Sequence, residues 1–391
     1  MMLRVLTLST LFPDEGRPAF GVFVERQTLA LAERGDVEVV VAAPVGLPPW
    51  PLTMHNHYRG RARLPLKEDW KGLEVHRPRF RVWPRMGEAG AGRSLAKALL
   101  PLVRDLRVDV VAAQFFWPDG VAAMHLAQAL GLPFSIKARG ADIHYWGKRR
   151  GIGPQVAEAG LRANGLLAVS GALKADMAAL GMPEEKIRIH YTGIDRERFR
   201  PVDRAQAKAA LGVEGPLLVT AGALIPRKGQ KLTIEALAAV PEATLLVVGG
   251  GPDRAELEAL AASLGLGPRV RFLGPLPHDE LPPLIAAADV MMLPSVSEGL
   301  ANVWVEALAC GTPLVISDAG GAREALDRPE AGRMVAREPG AIAAAVRDIL
   351  ADPPAQEAVR AAADRFSWER NAAELAEHLR SLGGLTETSF G

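Results

Sequence analysis

The chain has 391 residues, 49% apolar and 23% charged, with a net charge of +1 and a single cysteine, Cys310. That length exceeds one ordinary core and predicts two domains of a soluble globular protein. Apolar runs broken by Pro, Asp or Arg well short of 18 residues exclude a membrane-spanning helix, and one cysteine excludes an internal disulfide, in keeping with a reducing cytoplasm. The small net charge hides an imbalance. Residues 1–200 carry 29 Lys and Arg against 20 Asp and Glu, and residues 201–391 carry 17 against 25. Most of the excess falls in 55–107, with 13 basic and 5 acidic residues. A one-sided charge of this kind points to an anionic partner for the first half.

In chain order, the first half reads as short apolar strands (RVLTLST, DVEVVVAA, VDVVAAQ, PFSIKA, GLLAVS) separated by amphipathic helices such as VFVERQTLALAERG. The opening MMLRVLTLST reads as a first strand, not a signal peptide. Residues 46–92 are rich in Pro, Trp, Arg and His and show little periodicity, so they are expected to form a long functional loop. The second half repeats the alternation with PLLVTAG, ATLLVVGG, RVRFLG, DVMMLPS and TPLVISD. Continuous Val/Leu/Ile strands between helices mean parallel sheets covered on both faces. The expected fold is therefore α/β, two Rossmann-like doubly wound parallel-sheet domains, with ligands at the carboxyl ends of the strands in the crevice between them. The expected domains are 1–196, joined by a C-terminal helix at 366–391, and 197–365.

The chemistry concentrates in SEGLANVWVEALAC, where Glu298 and Glu306 stand eight positions apart. A loop and helix start between them offers the backbone N–H groups of Gly299, Leu300, Ala301 and Asn302 to an anion. The two carboxylates can accept hydroxyls on either side of that anion, a sugar and a ribose. An ordinary acidic first turn plus a surface glutamate accounts for the spacing equally well. TAGALIPRKGQ places Arg227 and Lys228 between a strand and a helix, where a lysine can neutralise a diphosphate; a solvated basic loop is the plain alternative. VVGGGPDRAELEAL, with Gly250, is a glycine turn without the full dinucleotide spacing. FPDEGRPAFGVF puts Gly21 between the first strand and first helix, where a plain turn serves as well.

The series G-x-L-x-P-x-K-G, VVGGGP, RVRFLG and EGLAN-x-x-x-EALACGTPLV resembles the retaining glycosyltransferases of family 4, over nearly the whole chain and most closely in its second half. The nearest likeness is to transferases of bacterial cell-surface polysaccharide assembly. The resemblance implies the GT-B architecture, with two domains facing a central cleft, and retaining sugar transfer from a nucleotide sugar to a hydroxyl of a glycan or lipid-linked acceptor. It implies that Glu298 faces the donor sugar, Gly299 and Leu300 give backbone N–H groups, and Glu306 takes the ribose. Lys228, with Arg227, would bind the diphosphate, and the stretch from Arg271 through Leu273 would flank the base. Gly21 would approach donor and acceptor, and the helix near Trp368 would cross back to the first domain. No metal or other cofactor is implied. Two positions depart from the pattern. Ala223 stands where relatives carry Arg. Arg139, in KARGADIHYWG, stands where relatives carry His, so Arg139 joins Lys228 and Glu298 as a catalytic candidate and Asp142 and His144 join Gly21 on the acceptor side. A strand-end arginine paired with Asp142 is the simpler reading of Arg139.

The basic, Trp-bearing stretch 46–107 suits an anionic membrane surface, a solvated loop, or a pocket for an acidic sugar chain. Nucleic acid is not expected as a partner. Two other functions stay open at this level: a nucleotide-sugar-binding relative that has lost transfer, and an NAD-dependent oxidoreductase.

Overall fold

The structure is a computed structural model, and it describes residues 2–18, 20–83 and 88–382. The chain divides into two compact units, Met1–Thr192 with Trp368–Gly391, and Gly193–Ser367.

The first unit holds an eight-stranded sheet. Its strands are β1 (Leu3–Leu8), β2 (Val37–Ala42), β4 (Lys67–Trp70), β5 (Leu73–His76), β7 (Val110–Ala113), β8 (Phe134–Ala138), β9 (Gly165–Ala168) and β10 (Ile187–Ile189), in the order β10-β9-β8-β7-β1-β2-β5-β4. All neighbours are parallel except the antiparallel edge pair β4–β5. A separate parallel pair is formed by β3 (Val45–Leu47) and β6 (Arg79–Arg81). The run of valines in β2 has a clear cause. Val39 and Val41 enter the core on one face with Val24, Leu375 and Leu379, while Val40 and Ala42 enter the other with Leu95 and Val121. A strand buried on both faces has no polar side to alternate with. The helix Trp368–Leu382 belongs to this unit, packing Leu375 and Leu379 beside the helix Val22–Ala32 and holding Asp36 through Arg380 at 2.6 Å.

The second unit holds β11 (Leu217–Ala221), β12 (Thr244–Val248), β13 (Val270–Gly274), β14 (Val290–Leu293), β15 (Leu314–Ser317) and β16 (Gly332–Val335). They lie in the order β13-β12-β11-β14-β15-β16, all parallel. This is the doubly wound 3-2-1-4-5-6 order, and its direction reverses between β11 and β14. In the first unit the reversal falls between β1 and β7. At a reversal the chain leaves the two strands toward opposite faces of the sheet, and ligands of such sheets bind at that point.

Residues 46–92 correct the sequence reading. The described ones among them form not one long loop but β3, a turn at Leu52–Met54, the helix Asn56–Ala62, the β4–β5 hairpin and β6. Elements of three to seven residues are too short to show a period. The hairpin turn is Lys71–Gly72, with φ 55° and 83°, and two left-handed residues are what a two-residue hairpin loop requires.

Candidate functional site

In the second unit, the loops after β11 and β14 meet at the reversal. Lys228 ends a short turn at Pro226–Lys228, and Glu298 lies in the loop that precedes the helix Asn302–Ala309. Their side chains join, Lys228 Nζ donating to Glu298 Oε1 at 2.5 Å. Both are largely buried, the lysine side chain 15% and the glutamate 8% exposed. Arg227 stands over the same carboxylate, its Nη1 3.5 Å from Oε2, and also donates to the Ser297 carbonyl. The main chains are tied as well, Val296 N–H donating to the Arg227 carbonyl at 2.8 Å. The strand plan thus brings together two residues 70 positions apart that the sequence presents in separate motifs.

Glu306 is on the second turn of the helix Asn302–Ala309, and its Oε1 is held by His278 Nε2 at 2.8 Å. The His278 ring packs edge-on against Phe199 at 5.3 Å. The helix start, Ala301, makes no side-chain cap bond, and an alanine there leaves the N–H groups of the first turn without a cap of its own. The Glu298–Gly299 loop rests on Gly320 and Gly321. Gly321 N–H donates to the Gly299 carbonyl at 2.6 Å, and a Cβ on Gly320, which has φ +54°, would lie 2.1 Å from the Glu298 carbonyl oxygen. Gly250 accepts the Leu224 N–H at 2.9 Å, so its turn supports the backbone that leads to Lys228. Arg271 goes elsewhere: its guanidinium donates to the Leu211 and Gly212 carbonyls at 2.7 and 3.0 Å. Those carbonyls lie in the segment that enters β11, whereas Lys228 lies on the segment that leaves it. Leu273 is exposed near the carboxyl end of β13.

In the first unit, Gly21 caps the helix Val22–Ala32 with φ 70°, and a Cβ there would meet the Leu11 carbonyl oxygen at 2.2 Å. Two residues on, the Phe23 ring carries the Arg139 guanidinium 4.7 Å above its centre. Arg139 is half-buried, donates through Nε to the Gln114 carbonyl and through Nη2 to Gln114 Oε1 at 2.8 Å, and burial lowers its pKa to about 10. Asp142 has a different job from the one expected of an acceptor group. It is fully buried, and its carboxylate accepts the N–H groups of Phe116, Arg139 and Gly140. It therefore shapes the loop, and Arg139 meets it through the backbone, not as an ion pair. His144 faces Asp176 at 2.8 Å.

Behind Arg139 runs a buried polar chain. Gln27 Nε2 donates to Gln114 Oε1 at 2.7 Å, Lys137 Nζ donates to Gln27 Oε1 at 2.8 Å, and Lys137 lies 2.9 Å from His190 Nδ1. His190 Nε2 reaches the Asn371 carbonyl at 2.9 Å. Burial pushes the Lys137 pKa well below 10.5 and the His190 pKa well below 6.5.

Two family models match the chain in tandem, "Glycosyltransferase Family 4" over 21–198 and "Glycosyl transferases group 1" over 202–366. The chain belongs to the family 4 glycosyltransferases. It is 38% identical over 208 residues to a GDP-mannose-dependent alpha-(1-6)-phosphatidylinositol monomannoside mannosyltransferase of Mycolicibacterium smegmatis, covering 48% of this chain and 54% of that one. It is 37% identical over 219 residues to a D-inositol 3-phosphate glycosyltransferase of Mycobacterium leprae, covering 52% and 51%. The chain thus spans about half the length of both. A putative teichuronic acid biosynthesis glycosyltransferase of Bacillus subtilis, TuaC, is 28% identical over 82% of each chain. Among solved structures, sucrose-phosphate synthase of Thermosynechococcus elongatus superposes with a TM-score of 0.80 at 22% identity, over 98% of this chain and all of the other. HepE of Anabaena with UDP gives 0.75 at 23%, over 97% and 100%. The fold is GT-B. Neither the oxidoreductase nor the non-catalytic reading finds support among these relatives.

Several residues of these clusters escaped the sequence reading. His278, Gln114 and Gln27 belong to no motif, and Lys137 opens KARGADIHYWG without being singled out; only the register of distant strands places them. Gly320–Gly321 was the exception that carried a signal, a glycine pair directly after a strand.

Proposed function

We propose that this protein transfers a sugar, with retention at the anomeric carbon, from a nucleotide sugar to a hydroxyl of a glycan or lipid-linked acceptor in cell-surface polysaccharide or glycolipid synthesis. The observation that carries the proposal is the Lys228–Glu298 pair at the strand reversal, with Arg227 beside it and Glu306 on the helix that follows. Lys228 has three ammonium protons and spends one on Glu298. The others, with Arg227 and the uncapped N–H groups that follow Gly299 and Leu300, suit a diphosphate whose charge grows as the anomeric bond breaks. Glu298 accepts a hydroxyl of the donor sugar, and Glu306, oriented by His278, accepts the ribose hydroxyls. The bond from the anomeric carbon to phosphate oxygen breaks, the acceptor oxygen bonds to the same face, and the acceptor proton passes to the departing phosphate. Arg139 contributes an anion-facing charge in the first unit, its Nη1 making no hydrogen bond among the described residues. No metal has a part in this scheme. The proposal also includes contact of the 46–107 segment with an anionic membrane. Trp50, Leu52 and Met54 are exposed there beside Arg59 and Arg63, while Arg77 and Arg79 are spent on internal partners.

The relatives' names print different bases, GDP for the mannosyltransferase and UDP for HepE. The test is therefore a thermal-shift panel of UDP, GDP, ADP and NAD on wild type and Glu306→Ala. One nucleoside diphosphate should raise the melting temperature of the wild type, and the variant should lose the rise. A rise with NAD alone overturns the proposal. Once the donor is known, the anomeric proton coupling of the product reads retention directly. Flotation with anionic but not neutral liposomes tests the membrane contact.

A further inference from the structure

The buried polar row behind Arg139 has a direction, and both of its ends demand the same one. At the far end, the Asn371 carbonyl on the helix Trp368–Leu382 can only accept, so the 2.9 Å contact of His190 places a proton on Nε2. Burial, with Lys137 beside it, keeps the His190 pKa well below 6.5. The ring is therefore neutral, Nδ1 is an acceptor, and Lys137 Nζ donates to it at 2.9 Å. At the near end, the Arg139 guanidinium can only donate. Gln114 must then turn its amide oxygen to Arg139 Nη2, at 2.8 Å. That same oxygen accepts Gln27 Nε2 at 2.7 Å, which leaves Gln27 Oε1 to accept Lys137 Nζ at 2.8 Å. The two halves meet at Lys137, which donates both ways and can do so with two protons or with three. No member can turn over without setting donor against donor or acceptor against acceptor. Gln27, Gln114, Lys137 and His190 are all buried, where such a mismatch is costly.

The row ends in a guanidinium that is held three ways. Arg139 Nε donates to the Gln114 main-chain carbonyl at 3.0 Å, Nη2 donates to the Gln114 side chain, and the Phe23 ring lies 4.7 Å away across the guanidinium face. Phe23 and Gln27 are four residues apart on the helix Val22–Ala32 and share a face, so one helix supplies both the ring and the amide. Lys137 and Arg139 are two apart at the end of β8, which puts them on one side of the sheet. Asp142 acts electrostatically on Arg139, and Arg139 and Glu374 act on Lys137. Neither carboxylate bonds to the side chain it acts on. What remains to meet a ligand is Nη1, both of whose protons are unbonded among the described residues.

We propose that Gln114 and Gln27 are positioning residues of the transfer reaction, and that the donor order running from the Asn371 carbonyl to Gln114 aims Arg139 Nη1 at the terminal phosphate of the nucleoside diphosphate. This rests on the transferase reading above, in which Arg139 meets an anion, and names the groups that orient it. The test measures, by calorimetric titration, the affinity of the full chain for the nucleoside diphosphate that the thermal-shift panel selects and for the monophosphate of the same base. Arg139→Ala should weaken the diphosphate about tenfold, the worth of one charge-assisted contact. Gln114→Met should weaken it about fivefold. Gln27→Glu has the shape of the native side chain and still accepts from Lys137, but it cannot donate to Gln114, whose amide then turns its nitrogen toward Arg139. It should also cost about fivefold, and it serves as the second variant if Gln114→Met does not fold. All three should bind the monophosphate as the wild type does, because it lacks the terminal phosphate. In the Arg139→Ala background, Gln114→Met and Gln27→Glu should cost nothing further. A merely structural role would instead weaken both nucleotides, with or without Arg139. Equal losses for the two nucleotides, a further loss in the Arg139→Ala background, or wild-type diphosphate affinity in Arg139→Ala or in both glutamine variants would each overturn the inference. Diphosphate binding that is lost in Glu306→Ala tests the transferase reading separately. Where that binding holds and the glutamine variants fail these expectations, the inference falls alone; where no nucleoside diphosphate binds the wild type, both fall.

Discussion

The two sheets share a strand plan and handle a lysine at their centres in opposite ways. In the second unit Lys228 sits on a loop beyond the strand ends, 2.5 Å from the carboxylate of Glu298 and close to Arg227. In the first unit Lys137 sits inside β8 with Gln27 and His190 as partners and no carboxylate in contact. Burial without a counter-ion lowers the Lys137 pKa, and the first unit uses its lysine as a strut under Arg139. The second unit keeps a cation beside an anion beyond its strand ends, where the proposed function puts the phosphates. The position of the carboxylate, more than the presence of the lysine, separates a structural from a ligand-facing group.

The largest effect should come from the ligand-facing lysine. Lys228→Ala should lower kcat about 10²–10³-fold, the loss expected when one stabilising charge at the leaving group is removed, with little change in melting temperature. A near-normal kcat would erase the distinction between the two lysines.

The strut should show itself in pH dependence. His378 lies in the same buried layer, bonded to Ser135 Oγ at 2.8 Å, and burial lowers its pKa from 6.5 to about 4. The unfolded chain binds this proton below pH 6.5 and the folded chain does not until about 4. Stability from this group is complete above pH 6.5 and is lost as pH falls to about 4, by about 3 kcal/mol. Urea midpoints of wild type and His378→Gln across that range should differ in slope. Asp119 works in the opposite sense. Burial raises its pKa from 3.8 to about 7, so stability is lost as pH rises through that window and the loss is complete above it, and Asp119→Asn should be stabilising at pH 8. Lys137 itself should add stability as pH rises toward 10.5, because only the unfolded chain still holds the proton. Lys137→Met should flatten that rise, and an unchanged slope would mean that the lysine is charged in the fold.

Gly320→Ala sharpens the other side. It forces a Cβ against the Glu298 carbonyl at a left-handed backbone position and should cost about 1–3 kcal/mol of stability, measured by urea unfolding, together with weaker nucleotide binding. The smallest effect should be His278→Asn. It removes one hydrogen bond to Glu306 and should weaken nucleoside diphosphate binding about fivefold, read from the ligand-induced thermal shift. No change at all would mean that Glu306 needs no orienting partner.

Much of this molecule follows from local sequence. Runs such as VEVVVA become strands buried on both faces because their valines favour burial on either side, Glu38 alone staying exposed. Strands alternating with helices admit only parallel sheets. Glu298 and Lys228 stand out because each sits at a strand-to-helix transition with a glycine next to it, and Glu306 because it follows Glu298 on the helix. The sequence could not show that Lys228 meets Glu298, that His278 holds Glu306, or that Arg271 turns to the Leu211 and Gly212 carbonyls. Nor could it show that Asp142 is buried beneath its loop, or that Gln27 and Lys137 stand in line behind Gln114. Those pairings join residues far apart in the chain. They depend on which strands lie side by side at the two reversals, a matter of how whole sheets bury their faces and not of any residue's own preference.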